Sequence, residues 1–303
     1  MFGANGSLTK VIIEAGITPL QLTQFRTLGT ALIAGACLLV IDRSAFRLTR
    51  RQLGFMAILG IAGVALLQAS YAAALQRLPV GIALLLEYMA VLLVALVAYF
   101  FLKEQVKARL WAAIALVLAG LAVVARVWDS HLDALGVAFA LVAAVTLALY
   151  FLVGERQVGA TSPLVVAFYT TGFAALFWSF LSRWWELTPA TFRAPVQLGG
   201  AVGDLELPLW VPLLVTVVVG SFLPFLFSFL ALKHLTATAA GVVAASEVIF
   251  AFAVAWLWLG EGLDVIQLVG AAVVLIGIVL AQTARAGKVV DADLAISSET
   301  RAL

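Results

Sequence analysis

The charged residues of this chain are spaced so that ten long stretches carry almost none of them. The stretches are Phe2–Ala15, Leu20–Ile41, Leu53–Leu75, Val80–Leu102, Leu110–Val127, Leu135–Val153, Leu164–Leu181, Leu209–Leu232, Ala237–Leu259 and Ile266–Ala284. Each is continuously apolar rather than alternating. In lipid a segment must satisfy its own backbone, so such runs predict membrane-spanning helices and not barrel strands. Composition agrees: of 303 residues, 64% are hydrophobic and 11% charged, where a soluble domain carries roughly 45–50% and about 25%. At roughly 20 residues per span, the apolar residues fill ten helices and leave no room for a sizeable water-soluble domain. A soluble enzyme, a secreted disulfide scaffold and a nucleic-acid binder are thereby excluded. The net charge of +2 is too small to imply an anionic partner. Cys37 is the only cysteine and lies in an apolar run, which excludes disulfides and thiolate metal sites. The expected fold class is an all-α multi-pass membrane protein.

The first span is short. From Met1 to Ala15 a helix rises about 22 Å, against a hydrocarbon core of about 30 Å. No basic region precedes it and no small-residue cleavage site follows, so it does not read as a signal peptide. The expectation is that the chain starts inside helix 1 and that upstream residues complete it. With the N-terminus in the cytoplasm, 12 of the 18 Lys and Arg fall inside, 4 outside (Arg77, Arg126, Arg183 and Arg193) and 2 within spans. The positive-inside rule therefore puts both termini in the cytoplasm of a cell (inner) membrane protein. Residues 285–303 read as a disordered cytoplasmic tail.

The chain also repeats itself. At an offset of 157, Leu75, Leu78, Ala83, Val91, Leu102, Glu104, Val117 and Gly120 recur as Leu232, Leu235, Ala240, Val248, Leu259, Glu261, Val274 and Gly277. An earlier echo, Thr18-Pro19-Leu20 against Ser162-Pro163-Leu164, has an offset of 144. The difference fits an insertion in the long loop Ser182–Pro208. Each half, 1–127 and 135–284, holds five spans, an odd number, so the second copy enters the membrane upside down. Ten helices as two inverted five-helix repeats around a central cavity is a transporter signature, with substrate held near the midplane between the halves.

Ionisable side chains inside spans cost at least about 2.5–3.5 kcal/mol at the bilayer centre and by default face a bundle interior or cavity. Lys10, Arg26, Glu87 and Glu247 are such residues. At 1.5 Å per residue, Lys10, Arg26 and Glu87 lie at roughly 7–11 Å depth from the same side, two cations and one carboxylate in one layer. Glu87 aligns with Ala244 in the repeat, one turn from Glu247, so each half offers a carboxylate on about the same helix face. Either Glu87 pairs with Arg26 or Lys10 to knit helices together, or it contacts a substrate ammonium or carries a coupling proton. Gln68, Ser70 and Tyr71 lie in span 3, and Ser221, Pro224 and Ser228 in its counterpart, span 8. Each serine has a structural alternative, a bond to its own helix backbone. Pro224 removes a backbone hydrogen bond inside a helix and reads as a kink or hinge. Tyr88, Tyr150 and Tyr169 offer stacking surfaces, and Trp184, Trp185 and Trp210 read as an outer interfacial belt. No HExxH, GxSxG, Walker A or acidic metal cluster occurs, and His131 and His234 lie in loops on opposite sides. No catalysis, metal or cofactor is therefore expected.

Short stretches in order along the chain resemble the EamA type of the drug/metabolite transporter superfamily. Gly3-Ala4-Asn5 followed by Lys10 resembles the family's first-helix G-[SA]-N-x4-K, and Phe25-Arg26 its second-helix L-R-F/F-R position. Leu86-Glu87-Tyr88 with Lys103-Glu104, and Ser246-Glu247 with Leu259-Gly260-Glu261, resemble the L-E-Y or S/L-E-P and L-G-E stretches. Val248 stands where the family has proline after the glutamate. The resemblance covers nearly the whole chain. It implies ten helices around a cavity lined by helices 1, 3, 4, 6, 8 and 9, rocking to open to either side. Its better-known members export aromatic amino acids or threonine and homoserine. It adds Asn5 to the candidate substrate contacts and implies an amino acid or similar small metabolite and the lipid bilayer as partners. A non-transporting membrane sensor or assembly subunit on the same fold is the alternative.

Overall fold

A computed structural model describes residues 8–9, 11–13, 15–41, 46–78, 80–101, 108–124, 128, 133–198, 205–244, 246–247, 250 and 264–283. The chain is mostly helical. Its elements are α1 (Pro19–Ile41), α2 (Arg50–Leu75), α3 (Val80–Phe100), α4 (Ala108–Val124), α5 (Ala134–Ala160), α6 (Pro163–Ser179), a short α7 (Pro189–Arg193), α8 (Trp210–His234), α9 (Ala237–Ala244) and α10 (Val265–Thr283). Among the described residues, α1, α2, α5 and α8 are long and apolar enough to cross a membrane, and α3, α4, α6 and α10 contain shorter apolar stretches. Asn5, Lys10, His131, Glu104, Val248, Leu259-Gly260-Glu261 and the 285–303 tail lie outside the described residues.

The helix starts are written in local chemistry. Thr18 and Gln21 exchange backbone-to-side-chain bonds at the head of α1, and Thr49 and Gln52 do the same at α2. These are capping boxes, which satisfy two otherwise orphaned N–H groups. Ser162 caps α6, with Pro163 in the first turn where its missing N–H is harmless. The box at Thr49 explains why α2 begins three residues before the apolar run does. The helix of the sixth span runs on through Gly154, Glu155 and Arg156 to Ala160, seven residues past its expected end at Val153. Glu155 accepts the Ala237 N–H there, at 2.8 Å, so the extension reaches the start of α9.

Packing puts α10 against α4, α6 against α1, and α5 against both α3 and α2. Phe229, Leu59, Met56, Ile114 and Val91 are fully buried between them, while Leu32, Val40, Phe100, Val145, Leu176 and Ile276 are exposed around the outside. Large apolar side chains on the periphery suit lipid and not water. Several threonines within the spans are satisfied locally: Thr23, Thr27, Thr146, Thr170 and Thr171 each donate to a carbonyl three or four residues back.

Two features recur at the repeat offset. A π-helical turn interrupts α2 at Ile61–Ala65 and another interrupts α8 at Val218–Phe222, 157 residues apart. Where α4 crosses α10, Gly120 lies against Val274 and Gly277 against Val117, again pairs 157 residues apart.

Among the described residues, the long loop after α6 is the one departure from an all-helical reading. It holds a two-stranded antiparallel ribbon, β1 (Pro195–Gln197) and β2 (Glu206–Pro208), in register Val196↔Leu207. The two prolines sit opposite each other at the ribbon's end, where they remove no needed donor. Val196 points inward and packs with Ile12, Ile17, Leu22 and Leu213. Three-residue strands lie below the length at which alternation in sequence is visible.

Candidate functional site

The site begins at the π turn of α8. Pro224 has no N–H for the carbonyl four residues back, which is that of Gly220. Arg26 of α1 donates to this carbonyl through its terminal guanidinium nitrogen at 3.1 Å. Its Nε donates to the hydroxyl of Ser221 at 2.7 Å. Ser221 is fully buried, and its hydroxyl is therefore engaged across helices, unlike that of Ser70, which donates to Leu66 of its own helix at 2.6 Å. The helix continues past Pro224 to His234. Arg26 and Glu87 form no ion pair; the guanidinium turns instead to α8, because the π turn and the proline present oxygens there.

A second junction joins α3 to the α9 region. The Tyr88 hydroxyl donates to the Glu247 carboxylate at 2.7 Å and lies 2.8 Å from the Ala244 carbonyl, one proton set between two acceptors. Tyr88 is buried. Glu87 and Glu247 lie within Coulombic range of each other, and Glu247 within range of Arg26. Tyr71 of α2 is in range of all three. Arg26, Tyr71, Glu87, Tyr88, Ser221 and Glu247 thus come from five segments of the chain into one constellation. Gln68, one turn before Tyr71 on the same helix face, has both amide ends buried with no partner. A buried amide left unmet costs about 1–3 kcal/mol; Gln24, Thr30, Gln157 and Thr216 also hold a buried side-chain polar atom with no partner. Tyr88→Phe keeps the ring and removes only the hydroxyl. It is expected to lower stability by about 1.5–3 kcal/mol, the value of a hydrogen bond to a charged group, measured as the thermal midpoint of the detergent-solubilised protein; an unchanged midpoint counts against the bond.

Other candidates are placed elsewhere. Tyr150 packs against Phe225 and Phe229, with Ser228 beside its hydroxyl, in an aromatic cluster. Tyr169 donates to the Phe46 carbonyl at 2.9 Å and ties down the segment before α2. Asp133 caps α5 by accepting from Gly136 at 2.7 Å and lies 3.7 Å from Arg77. The Gly220 and Ala244 carbonyls were missed from sequence. Pro224 signals the first through its missing N–H, and nothing in the sequence signals the second.

The EamA-like transporter family model matches residues 1–126 and again 134–283. A solved structure described as "Crystal structure of protein" superposes with a TM-score of 0.71 at 18% identity, covering 93% of this chain and 94% of that one. Likeness at that identity speaks to the fold alone. No curated protein matches.

Proposed function

The chain belongs to the EamA-like transporter family, and from that premise we propose that it exports amino acids or similar small amphipathic metabolites by alternating access. Membership makes it a membrane transporter of the drug/metabolite type. The substrate class and the mechanism are our reading, and the observation that carries it is the half-buried constellation of Arg26, Glu87 and Glu247 with Tyr71 and the unpartnered Gln68 amide. Charges are rare inside spans and by default mark a substrate path. A zwitterion meets complementary groups here: Arg26 receives a carboxylate, Glu87 an ammonium, and Gln68 a further polar contact. Tyr88 and Ser221 position Glu247 and Arg26.

The moving parts are two inverted five-helix copies, 1–127 and 135–284. The paired π turns and the reciprocal glycine contacts, all at the offset of 157, support that reading. π turns inside α-helices are common at functional sites. Pro224, next to the second turn, is the proposed hinge. Arg77 lies 3.7 Å from Asp133 and the Gln21 amide donates to the Arg183 carbonyl at 3.3 Å, so segments assigned to one face do share a side; the orientation with both termini in the cytoplasm of the cell membrane rests on the Lys and Arg bias.

The test is efflux from proteoliposomes loaded with a mixture of labelled amino acids and related metabolites, with and without a pH gradient. Zwitterionic substrates are expected to move and their amidated analogues to move poorly. If nothing moves under any condition, the transporter reading falls and a sensor on the same fold replaces it. Glu87→Gln is expected to lose ammonium selectivity; transport unchanged by it removes Glu87 from the path.

A further inference from the structure

A pocket of about 370 Å³ opens between the head of α1, the last turns of α2 and the segment after α6, and none of the constellation's residues lines it. One wall is apolar: Leu20, Ala69, Ala73 and Leu181. The other carries Ser182, Arg183, Glu186 and Gln21. Ser182 is 3% exposed and its hydroxyl has no hydrogen-bond partner. The N-terminus of α1, 23 residues long, opens on the same space through Thr18 and Pro19, and its dipole favours a negative group.

The segment holding these groups is built rather than loose. Arg183 adopts φ of 53°, the one non-glycine positive φ among the described residues, a conformation that costs an ordinary residue about 1–3 kcal/mol. Its carbonyl accepts the Gln21 amide at 3.3 Å, and Gln21 is itself committed to the α1 capping box. Arg183 and Glu186 form an ion pair with both side chains largely exposed. An exposed pair contributes roughly 0–1 kcal/mol, so a ligand separates the partners at little cost. A cation and an anion side by side, an unmet hydroxyl, a helix N-terminus and an apolar wall together match one chemistry.

We propose that this outer pocket binds a small zwitterion with an apolar body, its anionic group (carboxylate or phosphate) at Ser182, Arg183 and the α1 N-terminus and its ammonium at Glu186. A volume of this size suits a small molecule. The site goes beyond the central constellation and stands whether or not that constellation carries substrate. Free amino acids and the ethanolamine headgroup of a phospholipid share the chemistry.

The experiment is protection from alkylation. Ala73→Cys in a Cys37→Ala background places one thiol in the pocket, and Gln76→Cys serves if Ala73→Cys fails to fold. The rate of maleimide labelling is read in lipid-free detergent with L-leucine, with isovalerate (carboxylate alone) and with isoamylamine (ammonium alone). Leucine at ten times its Kd is expected to slow labelling about tenfold, by occupancy, and the single-charge analogues far less. Protection is expected to survive Arg26→Gln, which disables the central site, and to vanish in Ser182→Ala and in Arg183→Asn, where asparagine tolerates the left-handed backbone. Slow labelling in phosphatidylethanolamine nanodiscs, but not in phosphatidylglycerol ones, assigns the same site to the lipid headgroup. Three results overturn the proposal: no protection by either zwitterion, equal protection by isovalerate, or protection lost in Arg26→Gln and kept in Arg183→Asn.

Discussion

Arg26→Gln is expected to reduce efflux of zwitterionic substrates about ten- to hundredfold while the protein still folds. The guanidinium spans from α1 to the π turn of α8, with bonds of 2.7 Å to Ser221 and 3.1 Å to the Gly220 carbonyl. Two of its five donors are used there, and among the described residues the other three have no partner to give up to a ligand. A hydrogen bond from a charged donor to a substrate carboxylate contributes about 1.5–3 kcal/mol, and each 1.4 kcal/mol is tenfold, which sets the range. Glutamine keeps one amide that reaches Ser221 or the carbonyl, so much of the interhelical tie survives. Two readings are needed together: initial efflux rates with carboxylated and amidated forms of one substrate, and the thermal midpoint. Selective loss of the carboxylated form at a similar midpoint is the expected result. Equal loss of both, tracking a lower midpoint, makes Arg26 a structural tie and removes it from the substrate path.

How much of this was legible beforehand depends on range in sequence. Span positions were readable because the lipid constraint acts on each segment by itself: the ends of α1, α3, α6 and α10 fall within a few residues of the apolar runs. The caps at Thr18, Thr49 and Ser162 are local too, but a reading by apolar runs does not use them, which is why α2 starts at Arg50 and not at the expected Leu53. Charges within spans were readable as a set, since Arg26, Glu87 and Glu247 stand out against apolar neighbours. Their partners were not. Arg26 bonds to groups 194 and 195 residues away, and the expected partner, Glu87, was chosen by depth alone. Depth is a one-dimensional quantity; it says which residues share a layer and not which helices are neighbours. The π turns were invisible for a related reason, because an extra residue in a turn leaves an apolar run apolar. The outer pocket escaped for another: Arg183 and Glu186 sit in a charged loop, and only the turn of the chain brings them to the head of α1.

The contact between α4 and α10 turns the repeat into a measurable property. A Cβ at Gly120 would stand 2.7 Å from Val274 Cγ2 and 2.8 Å from the Gly270 carbonyl; one at Gly277 would stand 2.8 Å from Val117 Cγ2 and 3.0 Å from the Ala113 carbonyl. Val274 and Val117 are fully buried, so neither has space to swing into, and backbone oxygens move only with their helices. Small residues at such crossings let helices in lipid approach closely, where dispersion and not water drives association. Gly120→Ala and Gly277→Ala are each expected to destabilise by about 1–3 kcal/mol, the usual cost of overpacking. Gly172→Ala in α6, where an added Cβ meets nothing within 4 Å, is the control, expected to stabilise by up to about 1 kcal/mol through helix propensity. The sign of the effect therefore separates crowding from any general intolerance of alanine. Because the two glycines occupy equivalent places across the crossing, their penalties are expected to agree, and the double variant to exceed either alone. A penalty at Gly120 without one at Gly277 in thermal unfolding would show that the two halves do not meet as equivalent partners, and the rocking of two like copies would lose its pivot.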